Sequence, residues 1–126
     1  MRFARLIVSA LLLTGAALAQ ALEVKPYSAA ALAQAQQADK PVALHFHADW
    51  CPTCRAQEKA LQTLADEKGL DLTVLKVDYD NEKELKRQFK VNTQSTLIVL
   101  RGNKESARLV GDTSKLNIMT ALKSAL

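Results

Sequence analysis

The sequence lacks the features that mark cofactor-dependent enzymes and nucleic-acid-binding proteins. Its four glycines are scattered, so there is no glycine-rich phosphate loop, and neither a nicotinamide nor a flavin cofactor is expected. Aromatic residues make up 5%, and a net charge of +4 without interleaved basic and aromatic residues gives no reason to expect nucleic-acid binding. Cysteine and histidine are scarce, with two of each. All four lie between positions 45 and 54, which points to a single candidate site.

What is present indicates one globular domain. The chain has 126 residues, of which 48% are hydrophobic and 24% charged. This balance is that of ordinary globular proteins and disfavours disorder, collagen-like repeats and a coiled coil.

The first nineteen residues differ from the rest of the chain. Two arginines precede an almost wholly apolar run over residues 6–17, and Ala17-Leu18-Ala19 is a small-x-small cleavage motif. This pattern predicts a secretory signal peptide at residues 1–19, followed by the functional domain at 20–126.

Cleavage would place the domain in the periplasm or another exported compartment, where disulfides form and persist. It would lower the net charge from +4 to +2, and no stable membrane association is expected afterwards. Ala19-Gln20-Ala21 is a second possible cleavage site. An uncleaved membrane anchor is the alternative, although the apolar run is shorter than the roughly twenty residues that span a bilayer.

The remainder predicts an α/β domain with the element order α-β-α-β-α-β-β-α. Strands are predicted at 42–48, 72–79, 96–100 and 105–110, the last two joined by a Gly102-Asn103 turn. Strands separated by helices imply parallel pairs, and the hairpin adds an antiparallel pair. Four helices are predicted. The first covers residues 28–38 with Ser28 as N-cap, and the second runs from Cys51 to Lys68 with Gly69 as the stop. The third follows an Asn81 cap and turns Leu85 and Phe89 inward, and the fourth starts near Ser114 and carries the apolar residues Leu116, Ile118, Met119 and Leu122.

The residues with chemical potential lie in the segment from Trp50 to Cys54. Two cysteines three apart at a helix start are close enough to form a disulfide, and so small a ring adds little fold stability. The free N–H groups of the helix N-terminus favour a thiolate at Cys51, while Cys54 lies one turn deeper. Pro52 suits the first helical turn because its missing N–H has no acceptor there. Redox exchange is favoured over the alternatives of metal binding and an inert staple.

These segments resemble the thioredoxin superfamily, in particular exported bacterial thiol-disulfide oxidoreductases. The likeness rests on Lys40 to Cys54, which includes Ala48-Asp49-Trp50-Cys51, on Leu72 to Asp78, and on Phe89 to Leu100. It implies the thioredoxin fold, a central mixed sheet of about four strands flanked by helices on both faces. It also implies dithiol–disulfide exchange with protein substrates, an unidentified electron donor or acceptor protein, and a monomer.

The resemblance assigns roles to residues near the cysteines. Cys51 would be the attacking cysteine and Cys54 the resolving one. The substrate-facing surface would be formed by residues on both sides of the cysteines, namely Trp50, Pro52, Thr53, Gln94 and Ser95.

One departure from the family is His45, six residues before Cys51, where the family has a buried acid that moves a proton to or from the resolving thiol. We expect His45 to be catalytic in the same way, and the alternative is a buried neutral histidine. His47, on the same face of the strand, either tunes the thiolate or is a partly exposed polar residue. Lys76 is expected to face His45, with no ion pair to an acid, and Arg55 is expected to be a surface charge.

The second departure is Ser95, where the family has a cis-proline whose loop pairs with substrate. A non-proline cis bond costs about 3–4 kcal/mol, so we expect Gln94–Ser95 to be trans and the substrate groove to differ. The serine also removes a side chain that keeps metal from the cysteines in the family.

Three functions therefore remain open. The first is an exported thiol-disulfide oxidoreductase, with a reductase favoured over an oxidase because the Pro-Thr pair lacks the histidine found in strong oxidants. The second is a metal module, in which Cys51, Cys54 and one histidine hold Cu(I) or Zn(II), or two chains share a [2Fe–2S] cluster. The third is a binding protein on a redox-inactive scaffold.

Overall fold

The computed structural model describes residues 21–126, so the predicted signal peptide lies outside the described residues. Nine elements follow along the chain. They are β1 (Glu23–Pro26), α1 (Ala29–Gln37), β2 (Pro41–His47), α2 (Pro52–Leu64), β3 (Thr73–Asp78), α3 (Lys83–Gln88), β4 (Thr96–Arg101), β5 (Lys104–Val110) and α4 (Lys115–Lys123). Among these residues, no helix has the length and apolar character needed to cross a membrane.

The strands form one mixed sheet in the order β1-β3-β2-β4-β5. The first three of these run parallel, whereas β4 is antiparallel to β2 and β5 is antiparallel to β4. The predicted parallel and antiparallel pairs are therefore confirmed. The central strand β2 ends immediately before the loop that carries the cysteines, so the sheet itself places the candidate site.

The sheet has five strands, one more than the number of about four that the sequence predicted. The segment Glu23–Pro26 adds β1 at the edge, and all four of its side chains are exposed. Its sequence Glu-Val-Lys-Pro shows no apolar alternation, and its proline is tolerated because an edge strand pairs on one side only. The strand forms by docking on β3 and leaves almost no local trace in the sequence.

Side chains of alternate parity build a core on each face of the sheet. On one face Ala43 and Val74 pack with Leu61 of α2 and Ile118 of α4. On the opposite face, Leu44 and Phe46 of β2 pack with Leu32 of α1 and Leu85 of α3. The prediction of helices on both faces is confirmed. Because His45 and His47 share the parity of Ala43, they lie on the face covered by α2.

Helix boundaries differ from the predictions in two places. Helix α2 ends at Leu64 rather than Lys68, and Gly69, with φ of +87°, lies in the turn beyond it. Helix α3 has Glu82 rather than Asn81 at its N-cap position, without a side-chain cap. Asn81 Nδ2 instead donates to Asp78 Oδ2 at 2.6 Å, so its amide is already occupied.

The serine caps are confirmed, since Ser28 and Ser114 accept hydrogen bonds from Ala31 N and Asn117 N. Helix α4 faces the core with Ile118 and Leu122 as predicted. Leu116, also expected on the apolar face, is 64% exposed.

Candidate active site

The two cysteines lie at the N-terminus of α2, both as free thiols and both buried. Cys51 is the N-cap residue, and its Sγ accepts a hydrogen bond from Cys54 N at 3.2 Å. Pro52 occupies the first turn, as predicted. Cys51 is 3% exposed and Cys54 is fully buried, so an incoming disulfide meets Cys51 first.

Ser95 lies directly against both sulfur atoms. Its Oγ is 3.2 Å from Cys51 Sγ and 3.0 Å from Cys54 Sγ. None of the described peptide bonds is cis, so the Gln94–Ser95 bond is trans, as expected. What the sequence did not predict is the φ of +63° at Ser95, a left-handed conformation that is uncommon for a residue with a Cβ.

The surroundings of the two thiols shift their pKa values in opposite directions. Burial acts to raise the pKa of Cys51, but hydrogen bonds from the Cys54 thiol, the Ser95 hydroxyl and backbone N–H groups outweigh it, so the pKa of Cys51 is lowered. Burial, reinforced by the hydrogen bond with Cys51, raises the pKa of Cys54. Cys51 is therefore the more acidic thiol of the pair, which is the order that an attacking Cys51 and a resolving Cys54 require.

His45 is 1% exposed, and its Nε2 lies 2.9 Å from Gln57 Oε1 on α2. Burial, the largest cause, lowers the pKa of His45 to about 4 despite the hydrogen bond with Gln57. At neutral pH this histidine is therefore uncharged. The expectation that His45 moves a proton to or from Cys54 stays a prediction, and its hydrogen bond goes to an amide and not to a sulfur.

Gln57 is a site residue that the sequence analysis missed. Its Nε2 donates to Ser95 O and Asp112 O, both at 3.0 Å, while Oε1 faces His45. One cue was available, because Gln57 interrupts the otherwise apolar buried stripe of α2, formed by Cys54, Leu61 and Leu64. A buried glutamine at such a position requires partners for its amide. Those partners lie on three other segments of the chain, which the helix pattern alone does not reveal.

A charged cluster lies behind the cysteines and corrects two expectations. Lys76 pairs with His45 in the strand register, but its Nζ lies 2.8 Å from Glu58 Oε1, so an ion pair with an acid is present. His47 is 3% exposed rather than partly exposed, with Nε2 3.2 Å from Glu58 Oε2 and Nδ1 3.5 Å from Asp49 Oδ1. The acid that pairs with Lys76 is thus Glu58 of α2, and not a residue at position 45 of the strand.

The three-residue metal site of the alternative function is not formed in the part of the chain that the structure describes. No group of three or more His, Cys, Asp or Glu side chains there is arranged to hold an ion. The reason is directional, since His45 points to Gln57 and His47 lies between Asp49 and Glu58.

The remaining predicted residues near the cysteines differ in their exposure. Trp50 is 59% exposed, with its Nε1 donating to Asp80 Oδ2 at 2.8 Å. Thr53 and Gln94 are half-buried. Arg55 is exposed and donates to Asp49 O at 2.8 Å, which makes it a surface charge, as expected.

Comparison with known proteins gives consistent similarities. The model of the family described as Thioredoxin matches residues 23–124. A thioredoxin of Mycobacterium bovis is 34% identical over 88 residues, which is 70% of this chain and 76% of the relative. Thioredoxin-1 of Drosophila yakuba is 37% identical over 84 residues, 66% of this chain and 78% of the relative. The crystal structure of Trxlp from Edwardsiella tarda, 42% identical, superposes with a TM-score of 0.73 and covers 79% of this chain and 98% of that one.

Proposed function

The chain belongs to the thioredoxin family and is a thiol-disulfide oxidoreductase, and from this premise we propose that it works as an exported reductase of protein disulfides. In this proposal it is a monomer that receives its electrons from a partner protein. The observation that carries the direction of exchange is the arrangement of neutral groups around Cys51.

The dithiol reaction follows from the two unequal acidities. The Cys51 thiolate attacks one sulfur of a substrate disulfide, which releases the first substrate thiolate and forms a mixed disulfide. Cys54 then attacks Cys51 Sγ, which releases the second substrate sulfur and leaves the Cys51–Cys54 disulfide. Two electrons pass from the cysteine pair to the substrate, and a reducing partner must restore the dithiol.

The substrate binds, in this proposal, across Trp50, Pro52, Thr53, Gln94 and Ser95. Trp50, Pro52 and Thr53 are the neighbours of Cys51 along the chain, and Ser95 contacts the Cys51 sulfur. Because Ser95 N donates to Phe46 O and Ser95 O accepts from Gly111 N, the Ser95 backbone is already paired. Backbone pairing with a substrate strand therefore falls to neighbouring positions of the loop, such as Gln94.

The reductase direction is supported by what stabilises the thiolate. A strong oxidant owes its potential to a reduced form that is strongly stabilised, often by nearby positive charge. Here the groups that lower the pKa of Cys51 are a thiol, a hydroxyl and backbone N–H groups, all neutral. The nearby guanidinium of Arg55 bonds to a carbonyl oxygen instead.

The reduction potential of the Cys51–Cys54 pair tests this direction. We expect a value near the roughly −270 mV of thioredoxin when the protein is equilibrated in a dithiothreitol or glutathione series. A value near the roughly −120 mV of the strong periplasmic oxidant would contradict the reductase proposal and reverse the electron flow. No exchange at all would favour a redox-inactive binding protein.

The export part of the proposal rests on residues 1–19. We expect the full chain, fused to a phosphatase that is active only outside the cytoplasm, to give active reporter and a mature N-terminus at Gln20, read by mass spectrometry. Replacing Leu12 by arginine is the matched control, because a charge in the apolar run blocks a signal peptide without touching the domain. Reporter activity that is equal in both fusions would contradict export.

A further inference from the structure

Ser95 is placed where a hydroxyl can exchange protons with both reacting sulfurs. Its Oγ lies 3.2 Å from Cys51 Sγ and 3.0 Å from Cys54 Sγ, and a hydroxyl is both a donor and an acceptor. Either partner of each contact can donate, so one arrangement has the Cys54 thiol donating to Ser95 Oγ while the Ser95 hydroxyl donates to Cys51 Sγ. A proline ring at this position would have neither ability.

The backbone around Ser95 holds this hydroxyl in place. Ser95 N donates to Phe46 O at 3.0 Å, and Ser95 O accepts from Gly111 N at 2.9 Å and from Gln57 Nε2 at 3.0 Å. A left-handed φ of +63° is strained for a residue with a Cβ and persists only where the surroundings enforce it. These three hydrogen bonds enforce it.

Gln57 has its own orientation determined by its partners. Since Ser95 O and Asp112 O only accept, both must face the amide nitrogen of Gln57, and Oε1 must face His45. His45 Nε2 is therefore the protonated ring nitrogen and donates to Gln57. This arrangement links His45 to the Ser95 backbone through the amide of Gln57, so the two side chains help to position the loop.

We propose that Ser95 is a catalytic residue of the dithiol exchange, whose hydroxyl carries the proton from Cys54 to the departing substrate sulfur when the mixed disulfide is resolved. The proposal deepens the proposed function and rests on it. In the resolving step the Cys54 sulfur forms a bond to Cys51 Sγ, and the bond from Cys51 Sγ to the substrate sulfur breaks. The Cys54 proton passes to Ser95 Oγ as the Ser95 hydroxyl proton passes to the leaving sulfur. The cysteine pair is oxidised, the substrate is reduced, and serine is regenerated.

Burial makes such a carrier necessary. Cys54 is fully buried, and its raised pKa means that it starts the step as a thiol. The leaving sulfur is one bond from Cys51 Sγ, which Ser95 contacts directly. Ser95 therefore reaches both the group that loses a proton and the neighbourhood of the group that gains one.

The test is a single-turnover reaction of fully reduced protein with two disulfides. Glutathione disulfide releases an alkyl thiolate, which needs a proton, whereas an aromatic nitrobenzoate disulfide releases a thiolate that is stable without one. The resolving step is followed from the mixed disulfide in acid-quenched samples by mass spectrometry. Ser95→Ala removes the hydroxyl, and Ser95→Gly removes it while relieving the positive φ.

We expect both variants to slow resolution with glutathione disulfide by roughly a hundredfold, as for loss of a proton-transfer group, and to leave the aromatic reaction nearly unchanged. Ser106→Ala is the matched control, because Ser106 lies in β5 and its Oγ donates to Val99 O of β4 at 3.2 Å, without contact to either cysteine sulfur. In this control variant, the mixed disulfide should be resolved at the rate of the unmodified protein with both disulfides.

Three results would overturn the proposal. Equal slowing with both disulfides would show that Ser95 only shapes the loop. Normal rates in Ser95→Gly but not in Ser95→Ala would assign the effect to the backbone. Normal rates in both variants would remove Ser95 from the reaction. A failure of the unmodified protein to exchange with either disulfide would instead contradict the proposed function, so the two are distinguishable.

Discussion

Replacing Cys51 by serine is expected to reduce disulfide exchange by roughly a thousandfold or more, because a hydroxyl at neutral pH does not supply the attacking anion. Replacing Cys54 by serine is expected to have a different result. Cys51 still attacks, but the mixed disulfide has no resolving sulfur and accumulates as a covalent complex. The measurements are the rate of protein-disulfide reduction and the mass of the complex after acid quenching.

The two variants control each other, since both remove one sulfur from the same helical turn. Ser95 Oγ can still bond to the serine hydroxyl in each, so the local packing is retained. Activity retained in Cys51→Ser would contradict its role as the nucleophile. A trapped complex in Cys51→Ser but not in Cys54→Ser would show that the two roles are reversed.

The second large effect is a fall in stability as the pH is lowered from 6.5 to about 4, caused by His45. Burial lowers the pKa of His45 from 6.5 to about 4, so between these values the unfolded chain binds a proton that the folded chain does not. Stability is therefore fully present above pH 6.5 and is lost as the pH falls towards 4. The shift corresponds to about 3 kcal/mol of unfolding free energy.

Other titrating groups lie near His45. His47 lies with its ring centroid 5.5 Å away, and Glu58 and Lys76 are also within electrostatic range. The pKa of Glu58 is lowered, chiefly by the hydrogen bond from Lys76, so its stabilising contribution is lost only below its ordinary value of 4.5. This loss has the same sign as that of His45 but begins at lower pH.

Denaturant unfolding between pH 4 and pH 8 measures this effect, with His45→Leu as the comparison. We expect the leucine variant to lose most of the pH dependence between 6.5 and 4, because no proton can bind at that position. If the unfolding free energy of His45→Leu fell with pH as steeply as that of the unmodified protein, His45 would not be the cause of the pH dependence. The same variant tests proton transfer by His45, which predicts a changed pH profile of disulfide reduction. With a pKa of about 4, that change would lie at acidic pH rather than near neutrality.

Much of the fold could be predicted because its information is local. Helix α1 begins directly after Ser28, whose side chain caps the first helical turn, and the central strands are runs of β-forming residues. Strand β1 could not be predicted in this way. Its exposed residues acquire a strand conformation by pairing with β3, about fifty positions later in the chain.

The same division applies to the candidate site. Cys51, Pro52 and Cys54 lie within one helical turn, so the sequence by itself determined the candidate nucleophile, the candidate resolving thiol and the helix N-terminus that favours a thiolate. The tertiary structure alone decided that Ser95, 44 residues from Cys51, bridges both sulfurs, and that Gln57 joins His45 to the Ser95 loop. It also decided that Lys76 pairs with Glu58. The physical reason is that local backbone rules govern neighbours in sequence, whereas hydrogen bonds between buried side chains depend on which elements the packed sheet and α2 bring together.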